Sequence, residues 1–196
     1  MLMGVEYSEA KAMADFNIRK AVQAAAVLLK SRPDRRMNYY HLLKLLYVAD
    51  RESLKETGFP VIGDRVVAMD NGPLHSTIYD FIKAGRVRSL DWERHIAKDG
   101  YFIALAEDPG TDELCPYEVE KLQQIAASPI GQDKNLARQE THGYQEYKAH
   151  YKQGTSNTIP LRDILEATGR TPQQARAVAK RLAAYDRSER VLKRGK

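Results

Sequence analysis

The chain has 196 residues, a formal net charge of +5, 43% hydrophobic residues and 29% charged residues. That is ordinary globular usage in a chain long enough to bury a core without disulfides or a structural metal, so wholesale disorder is excluded. The lone cysteine, Cys115, rules out an intrachain disulfide and fits a reducing compartment. With no apolar leader and no run of about 18 apolar residues, the expected location is the cytoplasm, without a membrane span.

In chain order, Ile18, Val22, Ala25 and Leu29 recur at helical spacing and predict a helix over Asn17–Lys30, with Arg19, Lys20 and Gln23 outward. A second helix is predicted over Tyr39–Lys55, capped by Asn38 and stopped by Gly58. Leu42, Leu43, Leu45, Leu46, Tyr47 and Ala49 make it apolar nearly all round, the pattern of a helix in the middle of a core. A strand over Arg65–Met69 leads into the turn Asp70-Asn71-Gly72-Pro73, and a short helix over Leu74–Ala84 is expected to stop at Gly85. Leu90–Ala106 reads as a β-hairpin turning at Asp99-Gly100, which pairs Ile96 with Ile103 and Arg94 with Leu105.

Helix resumes at Pro116, is interrupted by Pro129 and Gly131, and continues in short pieces near Lys134–Glu140 and Tyr144–Tyr151. Gln153–Asn157 is a polar turn cluster. Leu161–Ala167 is a short helix ended by Gly169, and Thr171-Pro172-Gln173-Gln174 is a capping box that starts the last helix. The inward face of that helix is Ala175, Val178, Ala179, Leu182 and Tyr185. The expected fold class is α+β, mainly α: a compact helical domain over residues 1–155 with a small antiparallel β element, and a basic helical extension over 156–196 packed on it.

Residues 170–196 carry nine Lys/Arg against two Asp/Glu, so the basicity belongs to the C-terminal tail. Such a tail suits nucleic acid or an acidic protein face, or is a solvated helix face. The helix–Gly turn–helix outline of Leu161–Leu182 resembles a helix-turn-helix, with Gln173, Gln174 and Arg176 toward bases and Lys180, Arg187, Arg190, Lys193 and Arg194 toward phosphates; two helices packed on the core give the same pattern. The five histidines show no metal-binding spacing, and there is no phosphate loop, dinucleotide turn or nucleophile elbow, so no metal and no cofactor is expected. Enzyme readings reduce to Cys115 with His142 as base, or to His142 with Asp70, and neither has a second supporting feature.

Three segments together carry a family resemblance. They are Leu42-Leu43-Lys44-Leu45-Leu46-Tyr47-Val48-Ala49-Asp50; Val67-Ala68-Met69-Asp70-Asn71-Gly72-Pro73-Leu74 with Ile78-Tyr79; and Thr141-His142-Gly143 with Tyr147 and Ala149. In order and spacing, from about Asn17 to Tyr151, the chain resembles the Panacea domain of SocA-like antitoxins and GepA-type phage-associated proteins. The resemblance implies a non-enzymatic antitoxin that binds a cognate toxin directly, as an adaptor delivering it to the ClpXP protease or as a plain blocker.

Within the resembling segments, Leu42, Leu43, Leu46 and Tyr47 are expected in the core, Asn71, Gly72 and Pro73 fix a turn, and Thr141 and His142 form a buried polar pair. Tyr39, Tyr40, Asp50, Arg51, Arg65, Asp70, His75 and Tyr79 are the expected partner-binding surface, because Tyr and Arg are enriched at interface hot spots and charges set specificity.

Overall fold

The computed structural model describes residues 16–83 and 89–194, without the side chains of 186, 187 and 189–194. Its elements are α1 (Ile18–Lys30), β1 (Arg36–Asn38), α2 (Tyr39–Glu56), β2 (Val66–Met69), β3 (Gly72–His75), α3 (Ser76–Ile82), α4 (Leu90–His95), β4 (Ile96–Asp99), β5 (Phe102–Leu105), α5 (Pro116–Ala127), α6 (Pro129–Gln132), α7 (Lys134–Gly143), α8 (Gln145–His150), β6 (Asn157–Thr158), α9 (Leu161–Ala167) and α10 (Pro172–Arg194). The fold is mainly helical α+β with two small antiparallel sheets, ordered β1-β5-β4 and β3-β2-β6. No described helix is long and apolar enough to cross a membrane.

α2 starts where Asn38 Oδ1 accepts from Tyr40 N at 3.0 Å, the predicted cap. Leu42, Leu43, Leu45, Leu46 and Tyr47 are fully buried. One side of α2 packs with α1, β3, α3 and α5 in the main cluster; Tyr47 and Leu54 face a second cluster with Ile159, Ile164, Leu165, Ala175 and Val178 from the C-terminal elements. Apolar burial on both sides is what holds the helix in the middle, at roughly 1.5–3 kcal/mol for each fully buried leucine.

The last helix begins as predicted: Thr171 N donates to Gln174 Oε1 and Gln174 N to Thr171 Oγ1, at 2.9 and 3.3 Å. Ala175 and Val178 dock on the core, while Tyr185 is 53% exposed and meets Phe59 edge-on.

Several expectations are corrected. Gln23 is fully buried, with Nε2 donating to Pro109 O and Oε1 accepting from Glu113 N, so it tethers the 109–113 loop instead of facing water. Leu74 and His75 belong to strand β3, and the helix starts only at Ser76. Pro73 is compatible with this because β3 is an edge strand. The expected stop at Gly85 lies outside the described residues. Leu90–His95 is helical, capped by Ser89 Oγ accepting from Trp92 N. The hairpin turns one residue later than expected, pairing Asp99 with Phe102 and Ile96 with Leu105. Gly100 has φ +57° and Tyr101 does not share the positive φ, the type II′ arrangement with glycine first. The shift moves each partner by two residues, so Ile96 still shares a face with Ile103 and Leu105.

The 57–65 loop is pinned by two buried carboxylates. Asp50 accepts from Ile62 N, Gly63 N and His75 Nε2 at 2.7, 2.9 and 3.0 Å. Asp64 accepts from Thr77 N, Thr77 Oγ1 and Ile78 N, holding the first turn of α3. Replacing Asp50 by Ala strips three donors of their acceptor, among them the fully buried His75 ring. It is expected to cost about 3 kcal/mol or more in urea unfolding; an unchanged midpoint would show that the latch is not structural.

Candidate functional site

The residues expected at the partner-binding surface separate into two groups. Tyr39, Asp50 and His75 are interior, at 1%, 3% and 0% exposure, which corrects their expected placement. Asp50 and His75 form the latch above. Burial would lower the His75 pKa, but the Asp50 carboxylate and its hydrogen bond, with Asp64 behind them, hold it raised. Arg51 is also drawn inward: its Nε meets Glu146 Oε1 at 2.7 Å, and its guanidinium lies 4.0 Å from the Tyr144 ring centroid. Tyr47 OH donates to the same carboxylate oxygen at 2.7 Å. The charges of Asp50 and Arg51 are consumed inside the fold, so neither is an outward contact.

Tyr40, Asp70 and Tyr79 do come together. They line a cavity of about 240 Å³ with Asn71 and the Gly154–Ser156 turn. Asp70 is held there by Tyr151 OH and Gly154 N, at 3.2 and 2.9 Å. Burial, then hydrogen bonding to Tyr40, raises the Tyr79 phenol to about 12. Arg65 is exposed but does not line this cavity; its Nε donates to Ser76 Oγ at 3.0 Å.

Tyr40 and Asn71 also form the wall of a second, larger cavity of about 540 Å³. Its other walls are Tyr101 and Phe102 from the β4–β5 hairpin and Lys134, Asn135 and Arg138 from α7. At its base is Lys44, only 3% exposed, whose one hydrogen bond among the described residues is a long one, Nζ to Pro73 O at 3.5 Å. Burial, then the Arg138 charge, lowers the Lys44 ammonium to about 7. The residue stands in the middle of an apolar run, and a lysine at an inward position of a core helix is the sequence signal that reading the run as simple core passes over.

Lys44, Gly72 and His142 are packed against one another. A Cβ on Gly72 would sit 2.5 Å from Lys44 Nζ and 2.8 Å from His142 Nε2, and the backbone there has φ +94°. Glycine is needed at this turn for both reasons. The His142 ring lies 4.9 Å from that of Tyr147, and its Nε2 has no hydrogen-bond partner among the described residues. Burial, with Lys44 and Arg138 adding to it, lowers its pKa against a raising contact from the Asn71 backbone. Thr141 is buried, but its Oγ1 donates to Ala137 O at 2.8 Å within its own helix, so it ties no second segment.

The remaining candidates lie elsewhere. Arg176 and Lys180 are exposed on α10, and the side chains of Arg187 and Arg190 lie outside the described residues. Cys115 is the exposed N-cap of α5, where its backbone N donates to Glu118 Oε2. Among the described residues, no group of three His, Cys, Asp or Glu is placed to hold a metal ion.

Two measurements follow from Lys44 and Gly72. Gly72→Ala is expected to cost about 1–3 kcal/mol in urea unfolding, from backbone strain and contact with His142. Lys44 gives up its proton near pH 7 in the folded chain and about 10.4 when unfolded, so between these values the unfolded state holds more protons and stability rises with pH. His75, with a raised pKa, acts in the opposite sense, so the comparison is differential: wild type should gain about 2 kcal/mol on Lys44→Met between pH 7 and 9. A pH-independent difference would refute the lowered lysine pKa.

Residues 42–129 match the family model described as antitoxin SocA-like, Panacea domain. That span contains the first two resembling segments; the third, at Thr141–Ala149, lies beyond it. No curated protein and no solved structure matches the chain. The matched span supplies most of α2, the Asn71-Gly72 turn and the hairpin, and across it the chain is similar to the Panacea domain of SocA-like antitoxins.

Proposed function

We propose that this chain neutralises a cognate protein toxin by direct contact, acting as an adaptor that delivers the toxin to the ClpXP protease. The family match over residues 42–129 is the observation that carries the reading. The face with the two cavities supports it: Tyr101 is 65% and Phe102 45% exposed, next to Arg138 and Lys134. Rigid aromatic side chains beside cations are the composition of interface hot spots, and the charges would steer encounter with an acidic partner surface. In this role the chain holds a partner and makes or breaks no covalent bond.

Expression of the neighbouring small gene alone should arrest growth, and co-expression of this chain should rescue it. Toxin half-life should shorten when this chain and ClpXP are both present. Tyr101→Ala with Phe102→Ala should weaken toxin capture by about tenfold or more without shifting the melting temperature. If the neighbouring product is harmless, or its half-life is unchanged by this chain, the corresponding half of the proposal fails.

A second reading, DNA binding through α9 and α10, rests on Gln173, Arg176 and Lys180 being exposed at the start of α10. Deleting the helix is a poor test, because Ala175 and Val178 are part of the core. The double substitution Arg176→Ala, Lys180→Ala should instead flatten the salt slope of promoter binding by about 2. An unchanged slope, or no gel shift at low salt, rejects it.

A further inference from the structure

The larger cavity has a chemistry that toxin binding does not require. Among the described residues three cationic side chains line it, Lys44 at the base and Lys134 and Arg138 on the wall, and no carboxylate does. Lys134 and Arg138 are one helical turn apart on α7, with His142 a turn further along. Neither Lys134 nor Arg138 forms an ion pair among the described residues.

Lys44 is the informative member. A lysine this deeply buried normally has a carboxylate beside it, because an unpaired ammonium in a core is costly. Here its own fold offers one carbonyl at 3.5 Å, and burial, with the Arg138 charge adding to it, disfavours the ammonium. The other buried charges on α2 and α8 have opposite charges or donors beside them: Asp50 two backbone N–H groups and His75, and Glu146, through Oε1, Arg51 and Tyr47. Lys44 is the exception, and it is the one aimed into a cavity.

The rest of the lining selects among anions. A volume of about 540 Å³ falls within the range of small-molecule sites and exceeds what a single carboxylate or a free phosphate would fill. Tyr101 and Phe102 offer aromatic surface for a flat ring. The amides of Asn38, Asn71 and Asn135 provide both donors and acceptors, suited to the edge of a base or the hydroxyls of a sugar.

We propose that this cavity binds a nucleoside monophosphate, its phosphate held by Lys44, Lys134 and Arg138 and its base laid against the Tyr101–Phe102 side of the hairpin. The proposal goes beyond antitoxin action and stands whether or not the same face meets a toxin.

Isothermal titration of the full chain tests it, with the four ribonucleoside 5′-monophosphates, inorganic phosphate and adenosine as separate ligands. The expected result is saturable one-to-one binding of at least one monophosphate below ~1 mM, with phosphate about tenfold weaker and adenosine weaker still. Lys44→Met and Arg138→Gln should each weaken the monophosphate about tenfold or more, while Lys148→Ala, an exposed cation on α8 that does not line the cavity, should not. Should Lys44→Met not fold by circular dichroism, the Lys134→Gln, Arg138→Gln pair of surface substitutions decides. Absence of saturable binding by every monophosphate overturns the proposal, as does equal affinity in wild type and cavity variants. Loss of toxin capture in the cavity variants with no monophosphate binding in wild type also overturns it, and would assign the cavity to a carboxylate of the partner.

Discussion

A helix enclosed on every side must find, from other elements, a partner for each polar group it carries. α2 is such a helix, and its polar residues set where the rest of the chain goes. Asp50 gathers the backbone of Ile62 and Gly63 and the ring of His75, which fixes the loop between α2 and β2 and seats β3 alongside. Tyr47 and Arg51 gather Glu146, which draws α8 onto the opposite side. Tyr147, the next residue, donates to Met69 O and so holds the β2–β3 turn from below. Lys44 gathers only Pro73 O, at the limit of a hydrogen bond. One constraint thus accounts for the closure of the fold, and Lys44, with a single long hydrogen bond, is the residue of α2 that meets it least well.

The same constraint explains why the C-terminal third is part of the structure that holds the matched family segment together. Tyr47, Leu54, Val66 and Ala68 lie within residues 42–129, but their apolar neighbours Tyr147, Ile159, Ile164, Leu165, Ala175 and Val178 all come after that span. β6 adds a third strand to β2, pairing Thr158 with Val67. Arg170 and Arg181 then donate to the carbonyls at the C-terminal end of α2 and just past it, Leu54, Lys55 and Thr57, the negative end of the helix dipole. Part of the tail's basicity is therefore spent on capping α2, while among the described side chains Arg176 and Lys180 remain exposed for a polyanion.

What could be read from the sequence was what a local rule determines alone. The all-round apolar run of α2, the Asn38 cap, the Thr171–Gln174 capping box and the Gly169 stop each depend on a few neighbouring residues, and each is found in the structure. The errors occur where a distant partner decides. Leu90–His95 is too short for helical periodicity to show, and Ser89 provides a cap that only the folded turn reveals. β3 is hidden by Pro73, which is tolerated because the strand is at an edge. Asp50 and His75 looked like surface groups because charge predicts exposure on average. They are interior because they match each other across 25 positions of sequence, which no local pattern encodes.

The candidate site was half legible for the same reason. Tyr40, Asp70 and Tyr79 could be found from the turn and the central helix. Lys134 and Arg138 could not, since they meet α2 only through the packing of α7. This division bears on how the site works. The floor of the larger cavity, Lys44, comes from the span that matches the family, whereas the cations of its wall come from α7, beyond residue 129. Substitution on the exposed face of α7 can change charge and shape there without disturbing Ala137 or Thr141, which face the core. A common floor with a separately adjustable wall is an arrangement in which one fold can be fitted to different ligands or partners at little cost to its stability.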